Sequence, residues 1–493
     1  MNEEPFQLRP AVLSRRRLLA GTAAMAGGYA LKSVASHWPE DAADRPGSLS
    51  RGALPPQFGG DARAVLALAE RFPWTQYTEK SFFPLQIANV FDPALALNQR
   101  ATTGLLGERQ FHLGNGRAVL PWAPMFERPS AVITADRDLR AQVGVERLFI
   151  KDEGNDRIAI YGNKVRKYEF LLPNLYYGGV RKIYSHGAYG SNHCAHLALA
   201  ARFADFHAAP AADDMDVVLN LYPQEITENV KIKLRLLAAT GVTMKFLQGD
   251  AAVALSIGLH SQLNKTTERS AEGFIDPGGS SPLAVLGHVE AAMELARQIE
   301  SRSCAMDGPP DFVFLPIGSG GTAMGLALGF YILRWSTRIV ATCSQDKGML
   351  ARLVVNGNTS EPFGVAHAKH LLAESMPWVK KLGLVADNVT AEDVLRGRFA
   401  YDAETWLPGY GKMSAAVAES ARIAEDSGLI LDGTFSAKAF HTLTLYAKNQ
   451  LLHRRRVLFW NTYQRFPFET VLAVNDAWMS AFPADIQSRL VQV

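Results

Sequence analysis

Short apolar runs alternate with longer amphipathic segments over most of this 493-residue chain. The apolar runs have the length of buried strands, whereas the segments between them repeat apolar residues with the helical period. The predicted strands are "RLFIKD", "RKIYSH", "DVVLNLY", "TMKFLQ", "DFVFLPI", "RIVATC" and "VLFWNT". Predicted helices begin at Lys164 and Ser191, span about residues 229–239, and include "AVLGHVEAAMELARQI". This alternation predicts an α/β fold with parallel sheets, helices on both faces, and ligand sites at the carboxyl ends of strands.

One predicted strand ends in a loop of small residues. The apolar run covers residues 312–317, and a helical pattern begins a few residues later. The segment between them consists of Gly318, Ser319, Gly320, Gly321 and Thr322. In such a loop the backbone amides point at an anion, and the helix dipole favours negative charge. The spacing matches neither the nucleoside-triphosphate loop nor the dinucleotide fingerprint. A tight turn without a ligand is the alternative, but five small residues exceed what a turn needs, so we predict a phosphate cradle.

A lysine lies where a predicted strand and loop pass into a helix. Lys164 belongs to the segment "YGNKVRK", and a lysine at the start of a helix can be aimed into a cleft. Burial lowers the pKa of a lysine and frees its amine for imine chemistry. A solvated surface lysine is the common alternative. A reactive lysine together with a phosphate cradle in an α/β chain points to pyridoxal phosphate.

Five segments, in this order, resemble the fold-type-II pyridoxal-phosphate enzymes. They are "GNKVRKYEFLL", "GAYGSNHCAHLALAARFA", "DPGGSSPLAVLGHVEAAMELARQI", "GSGGTAMGL" and "LDGTFSAKAF". In particular, the chain is similar to the branch of 1-aminocyclopropane-1-carboxylate deaminase and D-cysteine desulfhydrase, from about Pro121 to about Thr462. The resemblance implies two three-layer α/β domains of the tryptophan synthase β type, with the cofactor in the cleft between them. A large domain would comprise residues 121–167 and 283–493, and a small inserted domain residues 168–282.

The resemblance also implies roles for single residues. Lys164 would bind the cofactor covalently and act as the catalytic base, and Gly318 to Thr322 would bind the cofactor phosphate. Ser191 and Asn192 would lie beside the cofactor ring and the substrate carboxylate. Tyr410 would lie over the active site as a substrate or acid–base residue. Thr462 would hydrogen-bond the pyridine nitrogen of the cofactor.

The residues around Ser191 also have a reading without any ligand. Ser191 or Asn192 can cap the helix that follows, although a helix N-terminus can equally receive a carboxylate. His193, Cys194 and His196 match no metal-ligand spacing, so we interpret them as a packed helix face and expect no metal site.

Two positions depart from the family pattern. Phe435 stands where the family usually has a tyrosine, so a hydroxyl that could orient substrate or move a proton is lost. The family segment His-Thr-Gly-Gly corresponds to residues 461–464, where Thr462 remains but Tyr463 and Gln464 replace the glycines. Either this loop is rebuilt or the pocket is reshaped.

The resemblance implies a lyase or deaminase that converts a small amino acid into a 2-oxo acid and ammonia. A β-replacement synthase of the same fold and a ligand-binding protein that has lost catalysis remain alternatives. We expect an amino-acid substrate, a homodimer, and no nucleic-acid or membrane partner once the signal is removed. A net charge of +3, 48% hydrophobic residues and 20% charged residues are typical of a globular protein and give no case for nucleic acid.

The N-terminus carries a separate signal. Residues 14–19, "SRRRLL", precede a moderately apolar stretch rich in alanine and glycine, which resembles a twin-arginine export segment over residues 1–36. Residues 37–120 would form a linker and an extension. We therefore expect a periplasmic or otherwise exported protein, or a cytoplasmic one if the signal does not function. A disordered basic tail is the alternative, and three cysteines imply no disulfide framework.

Overall fold

The computed structural model describes the greater part of the chain beyond residue 124. The described residues are 111–112, 117–118, 125–126, 129–154, 162–177, 179–203, 215–261, 263, 271–344, 363–381, 384–405, 408–464, 468, 472 and 476–492. The predicted signal segment and almost all of the predicted extension lie outside them.

Two sheets dominate the described part of the chain. The larger has the strand order β11-β10-β9-β12-β4-β3, and the smaller has the order β7-β6-β5-β8. A short antiparallel hairpin pairs β1 with β2. The strands are β1 Phe111–His112, β2 Arg117–Ala118, β3 Ala131–Thr134, β4 Arg147–Asp152, β5 Lys182–Ala188, β6 Asp216–Tyr222, β7 Thr243–Phe246, β8 Glu272–Phe274, β9 Phe312–Ile317, β10 Arg338–Cys343, β11 Phe399–Asp402 and β12 Arg456–Asn461.

The predicted α/β class is correct, and the sheets are parallel with one exception. Strand β3 pairs antiparallel with β4 at the edge of the larger sheet, with Ala131 opposite Asp152. All pairs of the smaller sheet are parallel. Its four strands lie between residues 182 and 274, inside the segment predicted to form the small domain. The boundaries at residues 168 and 282 stay a prediction.

Helices pack against both sheets and follow the predicted positions closely. Most strands are joined by one helix, as parallel pairing requires. The helices are α1 Arg137–Val143, α2 Val165–Tyr177, α3 Asn192–Phe203, α4 Glu228–Thr240, α5 Asp250–Ser261, α6 Val285–Glu300, α7 Gly321–Ile332, α8 Phe363–Lys381, α9 Ala391–Leu395, α10 Ala415–Glu425, α11 Ser436–Lys448 and α12 Ala484–Leu490. None of the helices in the described ranges is long and apolar enough to cross a membrane.

Glycines let helix α6 approach its neighbours closely. A Cβ at Gly287 would lie 2.1 Å from the backbone oxygen of Arg166, and a Cβ at Gly325 would lie 2.5 Å from Cβ of His288. Real Cβ atoms do not approach other atoms so closely, so both positions require glycine. Helix α6 therefore fixes the start of α2 on one side and helix α7 on the other.

A cluster of four buried charges lies beneath the start of helix α2. Arg166 contacts Glu153 at 2.8 Å and Glu294 at 2.9 Å, and Lys151 contacts Glu294 at 2.6 Å. Each of these side chains is at most 2% exposed. Ser130 donates to both carboxylates. Although burial acts to lower the pKa of Arg166, the two carboxylates raise it overall, so the guanidinium stays charged.

The stability of the protein should depend on the balance of two positive and two negative charges in this cluster. Glu294→Gln keeps the shape of the side chain but leaves one buried cation without its counterion. We expect the free energy of unfolding to fall by about 3 kcal/mol, because a buried charge that loses its partner is poorly solvated. Chemical denaturation measures this change.

Glu419→Gln is the matched control, because Glu419 pairs with Arg422 on the surface. Its denaturation midpoint should stay at the wild-type value. Equal midpoints for both variants would show that the buried cluster contributes little.

Candidate active site

A cavity of about 230 Å³ lies where the carboxyl ends of both sheets meet. By this measure a single water needs only about 10–15 Å³, so the cavity has room for a cofactor-sized group. Strands β5 and β6 of the smaller sheet and β9 and β12 of the larger sheet all end at or next to residues of its wall. The predicted site residues that line it are Lys164, Ser191, Asn192, Gly318, Ser319, Gly320, Thr322, Tyr410 and Thr462.

Lys164 enters the cavity at the junction between a short 3-10 turn, Gly162–Lys164, and helix α2. Burial lowers the pKa of Lys164 to about 8, although the carboxylate of Asp432 acts to raise it. Asp432 lines the same cavity. Its carboxylate also accepts hydrogen bonds from the amides of Thr434 and Ser436 at the start of α11, which fixes it in place. Asp432 was not predicted from the sequence, because an aspartate that hydrogen-bonds the amides of the turn after it is common.

The glycine loop leaves an open helix N-terminus at the cavity wall. Gly320 precedes helix α7 with φ of 84° and no side-chain capping bond, so the first amides of α7 are available to an anion. A Cβ at Gly320 would lie 2.3 Å from Cβ of Ala368, so glycine is needed for space as well as for φ. Thr322 accepts a hydrogen bond from Asn163 at 3.1 Å, which ties the loop to the segment that carries Lys164.

A second lysine, Lys167, lies beside the glycine loop. Its Nζ donates to the backbone oxygen of Gly278 and to Oγ of Ser280, both at 3.0 Å. A Cβ at Gly321 would lie 2.9 Å from this Nζ, which places the amine against the open helix N-terminus. Burial lowers the pKa of Lys167, and the charge of Lys164 lowers it further. An anion in the loop would meet a hydrogen-bond donor here, and its negative charge would favour the protonated form of the amine.

Lys167 was missed as a site residue in the sequence. The signal was present, because residues three apart on a helix share a face, and Lys167 follows Lys164 by three. Since most lysines are solvated, that spacing alone did not single it out.

The turn before helix α3 forms another helix N-terminus at the cavity. Oγ of Ser191 accepts a hydrogen bond from the amide of Cys194 at 3.3 Å, so the predicted capping is confirmed. Ser191 and Asn192 are nevertheless partly exposed to the cavity. The capping and the ligand-binding readings are therefore compatible. Strand β5 runs through Gly187 to Ala188, two residues beyond the end of the predicted strand "RKIYSH".

The histidines and the cysteine of α3 pack as predicted. His193 bonds the hydroxyl of Tyr168 at 2.9 Å and that of Ser185 at 2.8 Å, and Cys194 and His196 are buried. Burial raises the pKa of Cys194 to about 12. Within the described ranges, no group of His, Cys, Asp or Glu is arranged to hold a metal ion.

Tyr410 and Phe435 form adjoining parts of the wall. Their rings meet edge to face with centroids 5.8 Å apart, and the ring of Phe435 lies against Gly318. Burial raises the pKa of Tyr410, and the nearby Tyr222 and Asp432 raise it further, so its hydroxyl stays protonated at neutral pH. Phe435 therefore shapes the cavity beside the glycine loop. Because its ring lines the cavity, a tyrosine at this position would have added a hydroxyl to the cavity wall.

The segment after strand β12 places its residues in different surroundings, while the two outcomes expected for residues 461–464, a rebuilt loop or a reshaped pocket, stay predictions. Asn461 is buried and donates to Asp152 at 3.1 Å, whereas Thr462 is partly exposed and lines the cavity. The backbone oxygen of Tyr463 packs against Gly154. Tyr463 is not among the described residues that line the cavity.

These features fit pyridoxal phosphate. The open N-terminus of α7, the hydroxyls of Ser319 and Thr322 and the amine of Lys167 would hold its phosphate. Lys164 would hold its aldehyde carbon, and the hydroxyl of Thr462 would meet its ring nitrogen. The fit rests on two features of one cavity: the hydrogen-bond donors at the start of α7, and the amine of Lys164, whose pKa is lowered.

The comparisons with known proteins agree with this fit. The family model "Pyridoxal-phosphate dependent enzyme" matches residues 125–462. The chain is 26% identical over 298 residues to D-cysteine desulfhydrase of Serratia proteamaculans, covering 59% of this chain and 78% of that protein. It is also 26% identical over 277 residues to the mitochondrial bifunctional D-cysteine desulfhydrase/1-aminocyclopropane-1-carboxylate deaminase of Arabidopsis thaliana, covering 52% of this chain and 66% of that protein.

A solved structure shares the fold. The crystal structure of an ACC deaminase homologue superposes with a TM-score of 0.54 at 23% sequence identity, and covers 74% of this chain and 97% of that one. Because the family model spans more than half of the chain, and the residues that would hold the cofactor meet in one cavity, the chain belongs to the pyridoxal-phosphate-dependent enzymes, with a two-sheet α/β fold of type II.

Proposed function

We propose that this protein is a lyase or deaminase that releases ammonia and a 2-oxo acid from a small amino acid, as a D-cysteine desulfhydrase or an aminocyclopropane-carboxylate deaminase does. The observation that carries the proposal is the meeting of three features in one cavity: the amine of Lys164, the open N-terminus of α7, and a second helix N-terminus at Ser191. The named relatives support the same reaction class.

The residues that line the cavity have different roles in binding the substrate and moving its proton. The helix N-terminus at Ser191 and Asn192 receives the substrate carboxylate, by hydrogen bonds and by the helix dipole. Bound pyridoxal phosphate supplies a ring that accepts electrons from the substrate. Lys164, with its lowered pKa, takes up a proton from Cα of a substrate such as D-cysteine, or from a neighbouring carbon of 1-aminocyclopropane-1-carboxylate, whose Cα carries no hydrogen. Thr462 would be a neutral partner of the ring nitrogen, which would favour elimination over transamination.

The pKa of Lys164 predicts how cofactor capture depends on pH. Only the neutral amine attacks the aldehyde, so in protein stripped of cofactor the capture rate should rise about tenfold per pH unit below pH 8 and level off above it. The growth of the visible absorption of the bound cofactor measures this rate.

Lys164→Ala should abolish the covalent capture, whereas Lys448→Ala, at the end of α11, should leave the profile unchanged. A midpoint near the ordinary lysine value of 10.5 would contradict the assigned environment of Lys164.

The substrate class can be decided by products. D-cysteine plus water should give pyruvate, ammonia and hydrogen sulfide, and 1-aminocyclopropane-1-carboxylate plus water should give 2-oxobutyrate and ammonia. We expect turnover of at least one of them by the wild type and none by Lys164→Ala. Sulfide and 2-oxo acid assays measure it. A sulfur-containing product formed only with added thiol would instead identify a β-replacement synthase, and binding without turnover would identify a protein that has lost catalysis.

We also propose that the protein is exported by the twin-arginine route. The proposal is supported by the sequence of residues 14–19 and the apolar stretch after it. Replacing Arg15 and Arg16 by lysine should retain the full-length chain in the cytoplasm, whereas the wild type should reach the periplasm, as followed by cell fractionation. Identical distributions would refute export. The homodimer stays a prediction.

A further inference from the structure

Phe435 leaves the cavity without a hydroxyl that the family usually provides. Its ring lies against Gly318 and meets the edge of Tyr410. Such a position can exclude water and shape the pocket, but it cannot donate a hydrogen bond to a substrate. Another donor in the same wall would compensate for the loss.

Tyr222 brings a second phenol into this wall. It is the last residue of strand β6, is half-buried, and lines the cavity together with Ser191 and Tyr410. Its backbone oxygen accepts a hydrogen bond from the amide of Tyr189 at 3.1 Å, which fixes the end of the strand beside the turn that leads into α3. The backbone of Ala188 acts to lower the pKa of the phenol, but burial raises that pKa overall, so the hydroxyl keeps its proton and can donate to a ligand.

Contacts on both sides of Tyr410 hold its loop in place. Before Tyr410, the buried Lys438 of α11 donates to the backbone oxygen of Gly409 at 2.7 Å. On the other side, a Cβ at Gly411 would lie 3.3 Å from Nε2 of Gln224.

One further contact joins the same two segments. The exposed side chains of Lys412 and Glu225 pair at 3.2 Å, next to the contact between Gly411 and Gln224. Oε1 of Gln224 accepts a hydrogen bond from the amide of Gly190 at 3.1 Å, next to Ser191. The Tyr410 loop, the segment after Tyr222 and the proposed carboxylate-binding turn therefore form one connected unit.

Both phenols are donors at neutral pH. Burial raises the pKa of Tyr222 to about 12, and the Cys194 thiol raises it as well. The pKa of Tyr410 is raised by burial and then by Tyr222, and Cys194 also contributes. The influence of Tyr222 on Tyr410, and that of Cys194 on both phenols, agree with two tyrosines that lie near each other in the wall of the cavity.

We propose that Tyr222 is a substrate-binding residue whose hydroxyl works beside Tyr410 at the carboxylate end of the cavity and replaces the hydroxyl that Phe435 lacks. This inference rests on the proposed function, since it needs an amino-acid substrate whose carboxylate lies near Ser191.

The test uses full-length protein loaded with cofactor. Tyr222→Phe keeps the ring and removes only the hydroxyl. With the amino acid that the wild type turns over, kcat/KM should fall about 10- to 100-fold, mainly through a higher KM, because a hydrogen bond to a charged group is lost. Tyr401→Phe, on the exposed edge strand β11, is the matched control and should behave like wild type. Melting temperature and cofactor absorption verify that each variant folds and is loaded.

A rescue and a binding titration separate this role from a structural one. Adding Phe435→Tyr to Tyr222→Phe should recover most of the lost kcat/KM, whereas Phe435→Tyr alone should change little. D-alanine and L-alanine lack a leaving group, so the shift in cofactor absorption that they cause reports binding without turnover. The alanine concentration for half of the shift should rise about tenfold in Tyr222→Phe.

The outcomes are distinct. Unchanged kcat/KM and an unchanged titration in Tyr222→Phe overturn the inference, and so does a double variant no better than the single one. If the wild type turns over neither proposed substrate but responds to alanine, the proposed function fails, and the titration alone decides the role of Tyr222. A wild type that also ignores both alanines removes the inference together with the proposed function.

Discussion

The buried charge cluster around Arg166 is the constraint on which the site depends. Arg166 follows Lys164 by two residues, and its guanidinium is held by Glu153 and Glu294 from two other parts of the chain. A buried ion pair contributes little net stability, but an alternative arrangement that separates its charges is strongly disfavoured. These ion pairs therefore hold the first turn of α2 in place relative to α6 and β4. Lys164 lies directly before that turn and is positioned by it.

The same cavity holds two lysines with different surroundings. Lys164 faces the carboxylate of Asp432, whereas Lys167 is bonded to Gly278 and Ser280 beside the open N-terminus of α7. The amine that would react with an aldehyde and the end of the cavity that would bind an anion are thus different parts of one site. Because pyridoxal phosphate needs a nucleophile for its aldehyde and hydrogen-bond donors for its phosphate, this separation matches the two ends of the cofactor.

Sequence predicted the fold and the cofactor side of the site better than the substrate side. The strand β9 and its glycine loop are contiguous in the chain, so the apolar run and the small residues after it were enough to locate them. Strand β8 has only three residues, which is too short for a periodic pattern. Tyr222 resembled any aromatic residue at the end of a strand. Its place in the wall depends on the approach of a loop almost 190 residues later, which local pattern cannot encode.

The buried thiol of Cys194 has a chemical consequence for the cofactor. Thiolates add readily to aldehydes, and this cysteine follows Ser191 by only three residues. With its pKa raised to about 12, only about one Cys194 in ten thousand is ionised at pH 8, where half of the Lys164 side chains are neutral. Burial therefore acts in opposite directions on the two nucleophiles, since it discharges the amine and keeps the proton on the sulfur. The same low-polarity surroundings therefore make the amine of Lys164 nucleophilic and keep the thiol of Cys194 unreactive, so a cysteine can lie beside a site that binds an aldehyde.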